Sequence, residues 1–189
     1  MKLDVPQKII REIPTSLIDN LLNAFTEEDW HISDYRNGAG GMSKTNTIPI
    51  LHTPLCRTGQ CDMGAIKSIK KELLYDKYYP LVEPILELLK ENYQYRQCAL
   101  FITRLAPHSV IESHPDSGNF LELCHRVHVP LKTNPKVKYV IDDVPYYWEA
   151  GKVYEFDNTR VHGVINESDD YRIHLIINLY NLTDDELNK

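Results

Sequence analysis

No apolar run in this 189-residue chain approaches the ~18 residues of a membrane-spanning helix, so no membrane partner is expected. No lysine- and arginine-rich block occurs either. Asp+Glu total 27 against Lys+Arg 21, a net charge of −6, so the electrostatic footprint of a nucleic-acid binder is missing. The first residues, MKLDVPQKII, contain no secretory h-region, and the expectation is a cytoplasmic protein whose thiols stay reduced. The two glycosylation sequons, Asn166-Glu-Ser168 and Asn181-Leu-Thr183, are then without consequence. The four cysteines include no CxxC pair, and His52, Cys56 and Cys61 lack the spacing of a zinc knuckle. Also absent are an HExxH string, which argues against a zinc hydrolase, and a strand–GxxxxGK–helix phosphate loop. There is no internal repeat.

What remains is the composition of an ordinary globular protein, 42% apolar and 25% charged, in one compact domain. Its two halves differ in texture. Residues 1–95 read as helices and loops that pack on the rest and shape the mouth of a site. Leu17, Ile18, Leu21, Leu22 and Phe25 follow Thr15 and Ser16 with the spacing of an amphipathic helix. A short extended piece is expected near Thr47–His52. A second helical pattern runs from Ala65 to Asn92, and Pro80 and Pro84 are expected to divide it. The glycine-rich Asn37–Thr45 and the stretch Pro54–Gly64, which carries Arg57, read as loops. Residues 96–183 instead hold short runs of β-branched and aromatic residues between Pro, Gly, Asn and Asp turns, the pattern of an antiparallel barrel or sandwich.

The skewed number is histidine. Of eight, six (His108, His114, His125, His128, His162 and His174) fall between positions 108 and 174. In Ser113-His114-Pro115-Asp116 an imidazole and a carboxylate two residues apart can turn into one site. A distant histidine would complete a two-histidine, one-carboxylate face. That face leaves three metal positions open and suits a non-haem Fe(II) that binds a co-substrate and oxygen together. His162, followed by Gly163, is the leading candidate for the distal ligand. Ten residues on, Arg172 would reach from a strand into an apolar interior, where burial calls for an anionic partner. Strand alternation in Cys124-His-Arg-Val-His128 puts Arg126 and His128 on one face and His125 on the other. Two inward cations beside a metal make an anion pocket, and its simplest occupant is a dicarboxylate that chelates the metal at one end and pairs with arginine at the other.

The ordered blocks Arg104-Leu-Ala-Pro, Ser113-His-Pro-Asp116, His125-Arg-Val-His-Val-Pro-Leu131, Trp148-Glu-Ala-Gly151, Phe156-Asp-Asn, Val161-His-Gly163 and Arg172 resemble the aspartyl/asparaginyl β-hydroxylase family. These are Fe(II)- and 2-oxoglutarate-dependent oxygenases, free-proline hydroxylases among them. The resemblance implies a mainly β, double-stranded β-helix (jelly-roll, cupin-like) fold with flanking helices. It implies iron held by His114, Asp116 and His162, and 2-oxoglutarate held by Arg172 with Arg126 and His128 in the same pocket. It further implies hydroxylation of an amino-acid residue or free amino acid by molecular oxygen, with release of succinate and carbon dioxide. The best-known peptide-hydroxylating members carry glycine where this chain has Asp116, so the full triad points toward the small-molecule or other branches. The competing reading is a non-catalytic, cupin-like binding or sensor module, which the loss of a ligand would favour.

Of the other marked residues, Trp148 and Gly151 read as a core plug and a turn, and His108 as exposed. His174 shares the face of Arg172. Arg104 is either an ion-pair partner or a holder of a substrate carboxylate. Tyr75, Tyr78 and Tyr79 read as a helix-to-sheet packing face.

Overall fold

The computed structural model describes residues 3–32, 44–53, 55 and 62–188. The glycine-rich stretch 37–43, Cys56, Arg57 and Cys61 lie outside the described residues. The strands are β1 (Gln7–Glu12), β2 (Thr45–His52), β3 (Lys70–Lys71), β4 (Gln97–Leu105), β5 (Ser109–His114) and β6 (His125–Lys132). They continue with β7 (Val137–Ile141), β8 (Val144–Tyr146), β9 (Lys152–Phe156), β10 (His162–Asn166) and β11 (Arg172–Tyr180). The helices are α1 (Thr15–Ala24), α2 (Met63–Lys67), α3 (Tyr75–Leu89), α4 (Asn119–Glu122) and α5 (Asp184–Leu187). Pairing is antiparallel throughout, in a seven-stranded sheet ordered β1-β9-β6-β11-β4-β2-β3 and a four-stranded sheet ordered β5-β10-β7-β8. This is the expected jelly roll with flanking helices. No helix among the described residues is long and apolar enough to cross a membrane.

Period-two alternation decides which residues reach the site. In β11, Ile173, Leu175, Ile177 and Leu179 join Leu100 and Ile102 of β4 and Val127 and Val129 of β6 in one apolar cluster. Ile18 and Leu21 of α1 and Tyr78, Val82, Ile85, Leu86 and Leu89 of α3 cap that cluster. The alternate positions Arg172, His174 and Asn178, with Arg126, His128 and Thr103, are buried on the opposite face, between the sheets. One strand thus builds a hydrophobic core on one side and a polar interior on the other.

The N-terminal half departs from its sequence reading in two ways. First, besides β2, which is the extended piece expected near Thr47–His52, it supplies two further strands: β1 pairs with β9 at the edge of the large sheet, and β3 pairs with β2 at the other edge. The pairing of β1 slips between Ile9 and Arg11, which breaks the alternation by which a strand is recognised. Second, the prolines do not divide the second helix. Both lie inside the continuous α3. They sit four residues apart on its exposed side, where the carbonyls that lose an N–H partner, those of Asp76 and Pro80, can turn to water. The break falls earlier, between α2 and α3, where β3 intervenes.

Candidate active site

The site opens where β5, the loop after it and β10 meet. His162 at the start of β10 pairs directly with His114 at the end of β5, and the two imidazole centroids lie 4.7 Å apart. Asp116 follows two residues later, with its Oδ1 3.9 Å from His114 Nε2. One ligand atom from each of His114, Asp116 and His162 can be chosen so that all lie within 4.8 Å of one another.

The local structure orients each of these groups. His114 Nδ1 lies 2.7 Å from the carbonyl of Glu112, and His162 Nδ1 lies 2.9 Å from that of Arg160. A carbonyl only accepts, so both Nδ1 atoms carry the proton and both Nε2 lone pairs face the site, as metal binding requires. Burial disfavours the charged form of His162 and, despite the nearby Asp116, its pKa falls below the ordinary histidine value. Burial pushes the Asp116 carboxyl up, but Arg126, His162 and the Asn158 amide outweigh it and leave the group below its usual range. Asn158 clamps Asp116 twice. Its side-chain amide donates to Asp116 Oδ2 at 3.0 Å and its carbonyl accepts the Asp116 backbone N–H at 2.9 Å. A second donation from that amide, to the Leu121 carbonyl at 2.8 Å, fixes the clamp in place.

Gly163 makes the register at His162 possible. A Cβ there would meet the Ile111 carbonyl oxygen at 2.8 Å, closer than packed atoms tolerate, so only glycine lets β10 approach β5 this tightly.

The adjoining wall is cationic and aromatic. His114, Asp116, Arg126, His128, His162 and Arg172 all line one cavity, together with Thr103, Tyr139 and Phe156. Its empty space is about 450 Å³, counting the part open to solvent. Arg126 donates to Asn178 Oδ1 at 2.9 Å and its Nε lies 4.0 Å from Asp116 Oδ2. Arg172, 2% exposed, donates to Thr103 Oγ1 at 3.4 Å and lies over the Tyr139 ring. Burial, reinforced by Arg126, drives the pKa of His128 far below the ordinary value, so it is neutral.

The sequence-marked residues thus gather in one place, and those set aside stay outside it. His125 pairs with Glu155 on the other face of β6, and His108 is held by Asp169 in an exposed turn. Arg104 is an ion-pair residue: both its terminal nitrogens bind the Glu27 carboxylate, with Nε on Asn46 and the guanidinium over Trp30 and Tyr171. Trp148 is buried and stacks on Tyr139 and Tyr154. Gly151 takes φ +85° in its turn. Sequence reasoning missed Asn158, Thr103 and Tyr139. Asn158 carried a signal, because it lies in the Phe156-Asp-Asn block four residues before His162. Tyr139 read as an ordinary strand aromatic.

Solved structures with the same architecture include a prolyl-4-hydroxylase from Pseudomonas putida, at 12% identity and TM-score 0.57 with 95% of each chain covered. A prolyl hydroxylase from Trichoplax adhaerens, in complex with a hypoxia inducible factor peptide fragment, aligns at 12% identity and TM-score 0.56 over 93% of this chain and 84% of that one. A viral collagen prolyl hydroxylase from Paramecium Bursaria Chlorella virus-1, in a 2OG complex, aligns at 13% identity and TM-score 0.52 over 95% and 98%. At such identities the likeness is one of fold. No curated protein matches the chain significantly in sequence. The model of the aspartyl/asparaginyl beta-hydroxylase family matches residues 76–181, more than half the chain and the whole of the site. The protein therefore belongs to the aspartyl/asparaginyl β-hydroxylase family and is a 2-oxoglutarate-dependent Fe(II) oxygenase.

Proposed function

We propose that the protein hydroxylates an amino-acid residue or a free amino acid, with 2-oxoglutarate converted to succinate and carbon dioxide. In this reading His114, Asp116 and His162 hold Fe(II), and Arg172, Arg126 and His128 bind 2-oxoglutarate. One observation carries the assignment: all six side chains line a single cavity, with the His–Asp–His face on one side and Arg126, Arg172 and the neutral His128 beside it.

The donor set fits the metal. Two imidazoles with Nδ1 tied to backbone carbonyls and one carboxylate form a face with the remaining positions open. The neighbouring wall fits the co-substrate, because a guanidinium fork matches a carboxylate and two such groups match a dianion. When bound, iron and 2-oxoglutarate supply the oxidising chemistry with dioxygen that side chains lack.

The chain's own residues do the rest. His114 and His162 present lone pairs, and Asn158 holds the Asp116 carboxylate beside them. Arg172, deep in the barrel against Tyr139, sets how far a dicarboxylate enters. Phe156, Val164 and Ile176 keep water from the inner wall, which protects a reactive centre from side reactions. Of residues 1–95, α1 and α3 pack on the face of the large sheet away from the cavity, and residues 96–183 form the catalytic core that a small molecule or peptide enters.

The test supplies the protein with Fe(II), 2-oxoglutarate and isotopically labelled dioxygen, alongside free amino acids or peptides containing Asp, Asn or Pro. One labelled oxygen in an amino-acid product per succinate formed supports the reading. Succinate without label in any amino acid or peptide contradicts it.

A further inference from the structure

Tyr139 and His128 line the cavity and belong to a polar cluster with no part in holding iron. Tyr139, in the middle of β7, places its hydroxyl 3.3 Å from His128 Nδ1 and 3.3 Å from His174 Nδ1. The three side chains come from three strands, β7, β6 and β11. The tyrosine ring is fixed: it stacks on Trp148 with centroids 3.7 Å apart and planes 16° from parallel, and Arg172 covers it at 5.0 Å. Both histidines are fully enclosed, His128 at 4% and His174 at 0% exposure. Burial, with Arg126 beside His128 and Arg172 beside His174, holds both neutral. Their Nε2 atoms are buried without a hydrogen-bond partner among the described residues.

Proton counting limits what this cluster can be. Each neutral imidazole carries one N–H, and a phenol carries one hydrogen that it can donate to only one acceptor. If both Nδ1–H groups donated to the oxygen, the buried phenol hydrogen would have no acceptor, because Tyr139 has no other hydroxyl partner among the described residues; the hydroxyl therefore donates to one Nδ1 and accepts from the other. The two histidines must therefore be opposite tautomers. The cavity decides which is which. His128 lines it beside two guanidiniums, where an anion is expected, and a lone pair at His128 Nε2 would repel that anion. An N–H there binds it.

We propose that Tyr139 and His174 are positioning residues for the co-substrate: the Tyr139 hydroxyl accepts from His174 Nδ1–H and donates to His128 Nδ1, so that His128 presents Nε2–H to a carboxylate oxygen of 2-oxoglutarate. The inference rests on the reading of this cavity as the co-substrate site. It adds a directional hydrogen-bond donor to the two arginines and explains a histidine and a tyrosine that the iron site leaves unused. Tyr139 lines the same cavity, but its hydroxyl is taken up by the two Nδ1 atoms and acts through His128.

The experiment uses Zn(II)-loaded protein, which is diamagnetic, with two readouts. Imidazole nitrogen NMR of the wild type reports each tautomer directly; the expected spectrum has His128 protonated at Nε2 and His174 at Nδ1. Calorimetry then follows 2-oxoglutarate binding. Tyr139→Phe raises its Kd about tenfold, the value of one buried hydrogen bond, and leaves Zn(II) affinity within about twofold, less than half a kcal/mol. His174→Asn keeps a donor where Nδ1 stood and stays within about threefold of the wild type, while His174→Leu loses about tenfold. His128 protonated at Nδ1, or a folded Tyr139→Phe protein with unchanged tautomers and unchanged Kd, overturns the proposal. If Tyr139→Phe does not fold, the wild-type spectrum decides. Absence of 2-oxoglutarate binding by the wild type overturns the co-substrate reading instead, and the spectrum tells the two failures apart.

Discussion

His162 and His114 are partners across the β10–β5 ladder, joined by a register that only Gly163 permits. A methyl group at that position would collide with the Ile111 carbonyl, so the metal-binding pair and the strand pairing share one steric requirement. Gly163→Ala is expected to push β10 from β5 and spread the two imidazoles. The cost is about 1–3 kcal/mol of stability, as for other forced overpacking, with at least about tenfold weaker metal binding. Thermal melting and anaerobic Fe(II) titration check both. Unchanged metal affinity would show that the ligands do not depend on this register.

Asn158 offers a second handle, one that touches no proposed ligand atom of a histidine. Asn158→Ala frees Asp116 Oδ2 and the Leu121 carbonyl together. Metal affinity should fall about 10–100-fold, the usual effect of losing a partner that orients a ligand, although His114, Asp116 and His162 all remain. Calorimetry with a divalent metal reads this directly, and a wild-type Kd would remove Asn158 from the account.

The two halves of the site should separate under mutation. His162→Ala is expected to abolish metal retention. Arg172→Ala is expected to leave metal affinity within about twofold while weakening 2-oxoglutarate binding by about 2–5 kcal/mol, because it removes one partner of a buried charge pair. Equal losses of metal from both variants would place Arg172 among the groups that hold the metal.

How far these features could be read beforehand follows from the range of the signals. The His114-Pro-Asp116 string, the β6 alternation and the His162–Arg172 spacing are local, and each carries its chemistry in a few residues. Asn158 acts on Asp116 across 42 positions, and Tyr139 reaches His174 across 35. Such partners are set by sheet order, which no local pattern encodes. The same limit hid β1, an irregular edge strand whose pairing partner lies on β9. Pro80 and Pro84 misled for another reason. The cost of proline in a helix depends on whether the freed carbonyl is buried, and that is a tertiary property.

Stability should depend on pH through a group remote from the site. Asp29 accepts hydrogen bonds from Thr26, Lys77 and Tyr78, tying the turn after α1 to α3. Burial pushes its carboxyl up, but these donors outweigh it and hold the pKa at about 2. A folded-state pKa below the unfolded value contributes stability that is fully present above pH ~4 and is lost as pH falls toward ~2. The contribution at neutral pH is about 2 kcal/mol. Asp29→Asn should lose about that much at pH 7 and converge with the wild type near pH 2, as read by denaturant melts across the range. A gap that does not shrink on acidification would exclude the charged form as its source.

The central claim is that the cavity lined by His114, Asp116, His162, Arg126, His128 and Arg172 works with Fe(II) on 2-oxoglutarate. The most direct measurement is succinate formation by anaerobically reconstituted protein on admitting oxygen, in the wild type and in His162→Ala. The account predicts iron-dependent succinate from the wild type and none above background from the variant. No iron-dependent succinate from folded, metal-loaded wild type, or equal amounts from both proteins, would contradict it.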